Sequence, residues 1–291
     1  MDEMKPGLYE AIITQRLTGA LKASGLQHET TKLGKEDAPA LLAQFLSSLV
    51  LQTLESITED DARTKQLEVA NAILSTLERF NPALSGEQVQ LTSEYLQGVK
   101  SIGQNSLPSQ PATPLSQSAL FTGAPSKPQM GNELLAEMRS ADRVDILISF
   151  IKNSGLRILQ EGFNDLRNRN IPVRIITTTY MGATDPEAVN FLACYPNAKI
   201  KVSYETKSTR LHAKAYYFHR ESGFSTAYVG SSNMSNPAMT GGLEWNLKAT
   251  QCDLPNILRT FEAEFGTYWS DPRFQEYSQS RDEKKLREAL A

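Results

Sequence analysis

The spacing of apolar residues changes part-way along this chain of 291 residues. Up to about residue 100, apolar residues recur with the period of an amphipathic helix. In the first segment, residues 7–24, the shared face holds Leu8, Ile12, Ile13, Leu17 and Leu21. The same period continues through residues 36–56, 58–80 and 85–99. Residues 1–100 therefore predict a small all-α bundle of four helices, which we interpret as a docking or scaffold domain.

A change of composition follows the helical part. Residues 101–130 are rich in Ser, Gln, Ala and Pro, and they contain five prolines. Proline does not fit the interior of a regular helix or of a central strand. This segment is predicted to be an interdomain linker that lies along the surface.

From residue 131 onward, short apolar strands alternate with helical stretches. The predicted strands are 143–150, 172–180, 198–204, 211–219, 224–230 and 243–250. The predicted helices are 133–141, 154–169, 185–195 and 254–269. This order indicates an α/β domain over residues 131–275, with helices on both faces of a sheet. A charged helix, 276–291, is predicted to be solvated or to lead into a further segment.

The net charge, the cysteines and the lack of a targeting pattern indicate where the protein is located in the cell. The net charge of -3 and the pI of about 5.8 argue against a nucleic-acid coat protein, although a local basic groove is compatible with them. Cys194 and Cys252 stand far apart, in no metal-ligand spacing, and are predicted to be buried thiols in a reducing compartment. We find no signal-peptide pattern at the N-terminus and no apolar stretch long enough for a bilayer. These features predict a cytoplasmic protein without a membrane partner.

The strand 211–219 carries the first candidate chemistry. Alternation along a strand puts His212 and Lys214 on one face and His219 on the other. A neutral imidazole can attack an electrophile or accept a proton, and a neighbouring lysine can hold an anion. The pair therefore predicts a site for an anion such as a phosphate.

The next two strands add polar groups to this site. Gly230 allows a tight turn, and Ser231 and Asn233 offer short polar donors. Glu244 is the candidate to accept a hydrogen bond from His212 and fix its tautomer. Together these residues predict a phosphoryl-transfer pocket that needs no metal and no other cofactor.

In these residues the chain resembles the phospholipase D superfamily. The family pattern H-x-K, then G-S-x-N, then an acid appears here as His212-Ala213-Lys214, Gly230-Ser231-Ser232-Asn233 and Glu244. The resemblance implies a phospholipase D-like mixed sheet flanked by helices, over about residues 131–270. It also implies that His212 forms a phosphohistidine, Lys214 and Asn233 hold the phosphate, Ser231 supports it and Glu244 orients His212. The family often has an aspartate five residues after the lysine, where this chain has His219.

Three further residues are predicted to contact substrate: Ser232, Lys207 and Arg210. The last two belong to the segment 203–210, which is either a solvated loop or a basic rim that guides a nucleic-acid strand. The apolar strands also resemble the amino-terminal nuclease-like region of bacterial superfamily-two helicases. This sequence contains no G-x-x-x-x-G-K-[ST] loop, so a helicase module, in cis or in trans, is predicted only as a partner.

The implied reaction needs two histidines, one to attack and one to protonate the leaving oxygen. His219 faces away from His212, and His28 is predicted to lie in a solvated loop. A second copy of the chain remains as the source, so the sequence predicts a homodimer with one composite site. The predicted function is a metal-independent phosphodiesterase that cleaves nucleic acid, with DNA favoured. The alternatives are a catalytically idle nucleic-acid-binding or docking module and a phospholipase that acts on lipid.

Overall fold

The computed structural model describes residues 4–92, 94–100, 107–124, 128–205 and 210–291. The chain separates into two compact units, Met1–Gly98 and Val99–Ala291. The second unit holds all the candidate site residues.

The first unit contains three α-helices: α1 (Gln15–Ser24), α2 (Ala38–Ser56) and α3 (Ala62–Glu78). A 3-10 turn follows at Pro82–Leu84. Helix α1 begins later than the apolar pattern predicts, because the Thr14 side chain accepts a hydrogen bond from the Leu17 N–H and caps the helix there. Among the described residues of this unit, no side chain is fully buried.

The fourth predicted helix is wrong. Residues 85–99 contain no helix in the part that the structure describes. The side-chain amide of Asn71 pairs with the backbone of Val89, accepting from its N–H at 2.8 Å and donating to its carbonyl at 3.0 Å. Gly86 also adopts a left-handed φ of 90°. The backbone groups that a helix would pair internally are thus engaged by a side chain.

The second unit is built on a mixed eight-stranded sheet in the order β1-β7-β6-β5-β2-β3-β4-β8. The strands are β1 (Ala119–Phe121), β2 (Arg143–Ile148), β3 (Val173–Thr178), β4 (Ala198–Ser203), β5 (Lys214–His219), β6 (Thr226–Gly230), β7 (Asn246–Thr250) and β8 (Phe274–Glu276). Strands β2, β3 and β4 are parallel, and the other pairings are antiparallel. The predicted α/β sheet is confirmed.

Helices cover both faces of this sheet. They are α4 (Met130–Met138), α5 (Asn153–Asn168), α6 (Pro186–Ala193), α7 (Asn236–Met239), α8 (Pro255–Ser270) and α9 (Gln279–Leu290), with a 3-10 turn at Tyr180–Gly182. Strand β5 shows the two-faced packing: Tyr216 and Phe218 join the larger apolar core with α4 and α5. Ala215 and Tyr217 face α8 on the other side. The alternation predicted for this strand is confirmed.

Two segments predicted to lie outside the domain belong to this unit. Part of the predicted linker forms β1, which pairs with β7, and its Phe121 is buried against Tyr228 at 5.7 Å between ring centroids. The charged helix α9 buries Leu286 completely in the main core.

A buried cluster of charges lies between α4 and the sheet. The Glu137 carboxylate is fully buried and pairs with Arg220 at 2.5 Å and with Lys248 at 3.1 Å. It also accepts hydrogen bonds from Thr226 and Tyr228, both at 2.8 Å. Burial raises the pKa of Glu137, but the two cations outweigh burial and hold this pKa below its usual range.

Cys194 and Cys252 are both exposed, so the prediction that they are buried is wrong. Each follows the end of a secondary-structure element rather than an inward-facing position. Of the helices in the described residues, none has the length and apolar character needed to cross a membrane.

Candidate active site

The candidate residues meet at one edge of the sheet. Lys214, the first residue of β5, lies opposite Ile148, the last residue of β2. Gly230, the last residue of β6, lies opposite Asn246, the first residue of β7. Because antiparallel neighbours reverse direction, the beginnings of β5 and β7 meet the ends of β2 and β6.

His212 and Lys214 are in direct contact. His212 is exposed and lies two residues before β5, whereas Lys214 is only 7% exposed. The Lys214 ammonium is 3.1 Å from Nδ1 and 3.0 Å from Nε2 of His212, so it is not directed at one ring nitrogen alone. It also donates to the His212 carbonyl oxygen at 3.0 Å. The short segment therefore brings a cation and an imidazole into one place, as strand alternation predicts.

The charge of Lys214 is poorly compensated. No carboxylate forms an ion pair with its ammonium in the part of the chain that the structure describes. Burial lowers the pKa of Lys214, and the negative charge of Glu244 opposes this effect without cancelling it. An anion bound at this position would stabilise the ammonium form.

A serine that the sequence reasoning missed fixes the backbone between these two residues. Ser149 follows β2, is buried, and donates a hydrogen bond from its hydroxyl to the Ala213 carbonyl oxygen at 3.1 Å. The position of Ser149 directly after an apolar strand could have marked it as a site residue, because functional sites of α/β sheets lie at strand ends.

Asn233 is held at the same edge. It is 7% exposed, and its side-chain oxygen accepts a hydrogen bond from the Phe150 N–H at 3.2 Å. A bridge between Ile151 and Met234 fixes the neighbouring backbone. Since Oδ1 accepts from Phe150, the Nδ2 group is the one that can donate to an anion.

Glu244 is bound to Ser231. The Ser231 hydroxyl donates to the Glu244 carboxylate and accepts from the Trp245 N–H at 3.0 Å. The Ser231 N–H in turn donates to the Trp245 carbonyl oxygen at 3.0 Å. Within the described residues, no hydrogen bond joins Glu244 to His212, which is the contact that the sequence predicts.

Ser232 requires a correction. The sequence places it among the substrate contacts, but it is completely buried. Its hydroxyl accepts from the Asn246 amide at 2.7 Å, and its carbonyl oxygen accepts from the Tyr216 hydroxyl at 3.2 Å. The tight turn after Gly230 points Ser231 outward and Ser232 inward, so Ser232 supports the turn.

The remaining predicted residues lie in different places. Lys207 lies outside the described residues. Arg210 is exposed, with its guanidinium 5.3 Å from the centre of the Tyr180 ring. His219 is at the opposite end of β5, with Nδ1 4.0 Å from Glu262, and His28 is exposed in an irregular segment of the first unit. Within the second unit, the structure therefore places His219 away from His212.

Comparison with known proteins finds one family model that matches this part of the chain. Residues 134–269 match the model of the family described as "Cardiolipin synthase, PLD-like domain". This span includes the H-x-K segment, the G-S-x-N turn and Glu244. No curated protein matches the sequence.

Several solved structures are similar to part of this chain. NucT from Helicobacter pylori is 19% identical, with 52% of this chain and 94% of that chain covered and a TM-score of 0.41. Nuc from Salmonella typhimurium, described as a phospholipase D family member, is 17% identical, with coverages of 55% and 99% and a TM-score of 0.41. Phosphatidylserine synthase from Haemophilus influenzae Rd KW20 is 11% identical, with coverages of 60% and 44% and a TM-score of 0.41.

Proposed function

We propose that residues 134–269, which match the model of a PLD-like domain, form a phospholipase D-type domain and that the protein is a metal-independent phosphodiesterase. Its proposed substrate is nucleic acid, with DNA favoured, and its proposed intermediate is a phosphohistidine on His212. The observation that carries this proposal is the contact between the exposed His212 imidazole and the buried Lys214 ammonium.

The uncompensated charge of Lys214 supports a phosphate-binding role. A buried ammonium without a carboxylate partner is unfavourable unless an anion approaches it. The Nδ2 group of Asn233 and the backbone around Ser231 lie at the same sheet edge. These donors can stabilise the charge that develops on the phosphate oxygens during the reaction.

The proposed reaction has two balanced steps. A ring nitrogen of His212 attacks phosphorus and forms an N–P bond, while the bond from phosphorus to the leaving oxygen breaks and that oxygen takes a proton from a second imidazole. Water then attacks phosphorus, the N–P bond breaks, and the second imidazole recovers a proton from the water.

The second imidazole is proposed to be His212 of a second copy of the chain. His219 lies at the other end of β5 and does not reach the first His212. An apolar row next to the site supports an interface between two copies: Leu120, Leu247 and Val229 are in register on neighbouring strands and are 44–47% exposed. A two-fold axis near this face would pair the two sites.

Arg210 supports a polyanionic substrate. It is exposed two residues before His212, and its guanidinium lies over the Tyr180 ring. We extend this proposal to Lys207, as a second contact to the phosphate backbone. A helicase module, in cis or in trans, is the proposed partner that would deliver the DNA.

Cleavage of DNA in the presence of a chelator tests the proposal. We expect the protein to cut labelled oligonucleotides in EDTA. We expect His212→Ala to abolish cleavage and His219→Ala, at the far end of β5, to retain it. Rapid denaturation should trap one labelled oligonucleotide fragment, joined through its phosphate to His212, and mass spectrometry should identify the modified residue. DNA binding without cleavage would indicate an idle module instead, and headgroup release from phospholipid vesicles would indicate a lipid substrate.

Light scattering tests the composite site. We expect the active species to be a dimer, and we expect Leu247→Glu, which places a charge in the apolar row, to yield inactive monomers. A fully active monomer would overturn the proposed dimer while leaving the phosphodiesterase chemistry in place.

A further inference from the structure

The segment before α4 fastens onto the sheet at several points; we refer to residues 107–124 as the strap. Glu133 accepts hydrogen bonds from the Ala112 N–H at 2.8 Å and from the Thr113 hydroxyl at 3.0 Å. Thr113 is also bound by the buried Lys248 at 2.8 Å. Nearer to β1, the Ser118 N–H donates to the Asp253 carboxylate at 3.1 Å. The strap is thus attached to α4, to β7 and to the turn that follows β7.

The end of the strap lies directly against the loop that carries Glu244. Gly123 has a φ of 68°, and a Cβ atom at this position would be 2.0 Å from the Gly242 carbonyl oxygen and 3.2 Å from the Glu244 nitrogen. The Glu244 N–H donates to that same carbonyl oxygen at 2.9 Å. Any side chain at residue 123 must therefore displace the turn from Gly242 to Glu244.

The turn from Gly242 to Glu244 is also packed against α7 on its other side. A Cβ on Gly242 would be 2.5 Å from the Pro237 carbonyl oxygen in α7, which already accepts a hydrogen bond from the Gly242 N–H at 2.7 Å. The turn is held between the strap on one side and α7 on the other. It cannot move away from a larger residue at 123 without also moving Glu244.

We propose that Gly123 is a positioning residue: the strap seats the turn that presents the Glu244 carboxylate to Ser231 in the active site. This inference rests on the proposed function and adds to it a determinant outside the segment that matches the family model, which begins at residue 134. The position of Glu244 thus depends on a part of the chain that the sequence predicts to be a linker.

Gly123→Ala tests the proposal, with Gly223→Ala as the matched control. Gly223 also has a positive φ, 86°, but a Cβ there would meet nothing within 4 Å. Both variants carry the strain of a left-handed alanine, and only Gly123→Ala meets the loop. We expect Gly123→Ala to lower kcat by about 10- to 100-fold with little change in KM, and Gly223→Ala to leave both unchanged. Equal values for the two variants would overturn the proposal.

A double-mutant cycle distinguishes positioning from general loss of structure. If Gly123 acts through Glu244, the effect of Gly123→Ala should fall below about twofold in a Glu244→Gln background. An unchanged effect in that background would contradict the proposal. Should Gly123→Ala fail to fold, Asp253→Ala, which releases the exposed Ser118 attachment, should give a smaller fall in kcat that Glu244→Gln also removes.

Tryptophan emission provides a readout that needs no enzymatic activity. The chain has two tryptophans, and Trp245 is adjacent to Glu244, so Trp269→Phe makes emission a report on this loop. Gly123→Ala should shift the emission and Gly223→Ala should not. If Gly123→Ala shifts the emission but the protein cleaves no phosphodiester, the strap is coupled to the loop and the proposed function is wrong. If the protein cleaves phosphodiesters but Gly123→Ala changes neither the emission nor kcat, the proposed function stands and the coupling of the strap to the loop is wrong.

Discussion

Two buried lysines of the same sheet have opposite surroundings. Tyr216, Tyr228 and Lys248 are in register across β5, β6 and β7, so Lys248 and Lys214 face the same side. Lys248 is fully buried and is paired with the Glu137 carboxylate at 3.1 Å. Lys214 is nearly as buried, but its close partners are an imidazole and a backbone carbonyl. The comparison assigns a structural role to Lys248 and supports the proposal that Lys214 binds a substrate anion.

The largest effect on stability is expected at Lys248, the lysine that is paired with a carboxylate. Lys248→Met leaves the buried Glu137 with one cation fewer and removes the bond to Thr113. We expect the free energy of unfolding to fall by about 3–5 kcal/mol, as for other broken buried pairs. Urea unfolding measures this change, and an unaltered midpoint would contradict the comparison. Below its melting temperature the variant should keep its kcat.

At Lys214, which has no ion-pair partner among the described residues, we expect substitution to reduce activity and to leave stability unchanged or higher. Lys214→Met should lower kcat about 100- to 1,000-fold, as does removal of a charge-stabilising donor in other enzymes. The thermal midpoint should stay unchanged or rise, since the substitution removes a buried charge without an ion-pair partner. A large loss of stability in Lys214→Met would show that its charge is compensated after all.

The pH dependence of activity should reflect the surroundings of Lys214. Burial lowers its pKa, so the ammonium is lost as the pH rises through a value below the ordinary one. Activity should therefore decline at a pH where an exposed lysine is still charged. Because Glu244 opposes this shift, Glu244→Gln should move the alkaline limb of kcat/KM to still lower pH. If the alkaline limb of kcat/KM does not move in Glu244→Gln, the ionisation of Lys214 does not determine this limb.

The smallest effect separates the two neighbouring serines. Ser232→Ala removes the hydroxyl that accepts from Asn246, so we expect a loss of about 1 kcal/mol of stability and little change in kcat. Ser231→Ala should instead lower kcat and leave stability unchanged, because its hydroxyl is exposed and bound to Glu244. Thermal melts and initial rates on the same samples provide both measurements.

The sequence predicted what depends on local periodicity. Strand alternation along 211–219 correctly separated His219 from the pair of His212 and Lys214. The sheet with its flanking helices and the tight turn after Gly230 follow from equally local patterns, whereas the mixed strand directions were implied by the family resemblance. The family resemblance is confirmed for residues 134–269, while the roles of the site residues stay predictions.

Features that depend on distant contacts were missed. The helix predicted over 85–99 fails because Asn71 occupies the backbone of Val89, a contact 18 residues away in the chain. Strand β1 is only three residues long and becomes a strand by pairing with β7. Glu137 looks like a solvent-facing acid of an amphipathic helix, and only the fold reveals Arg220 and Lys248 beside it.

The pairing of β1 with β7 has a consequence for aggregation. Without β1, the whole edge of β7 would present unpaired backbone N–H and carbonyl groups beside the exposed apolar side chain of Leu247. An open edge of this kind recruits strands from other molecules. In this unit, three residues from a proline-rich segment shield the sheet from indiscriminate strand addition.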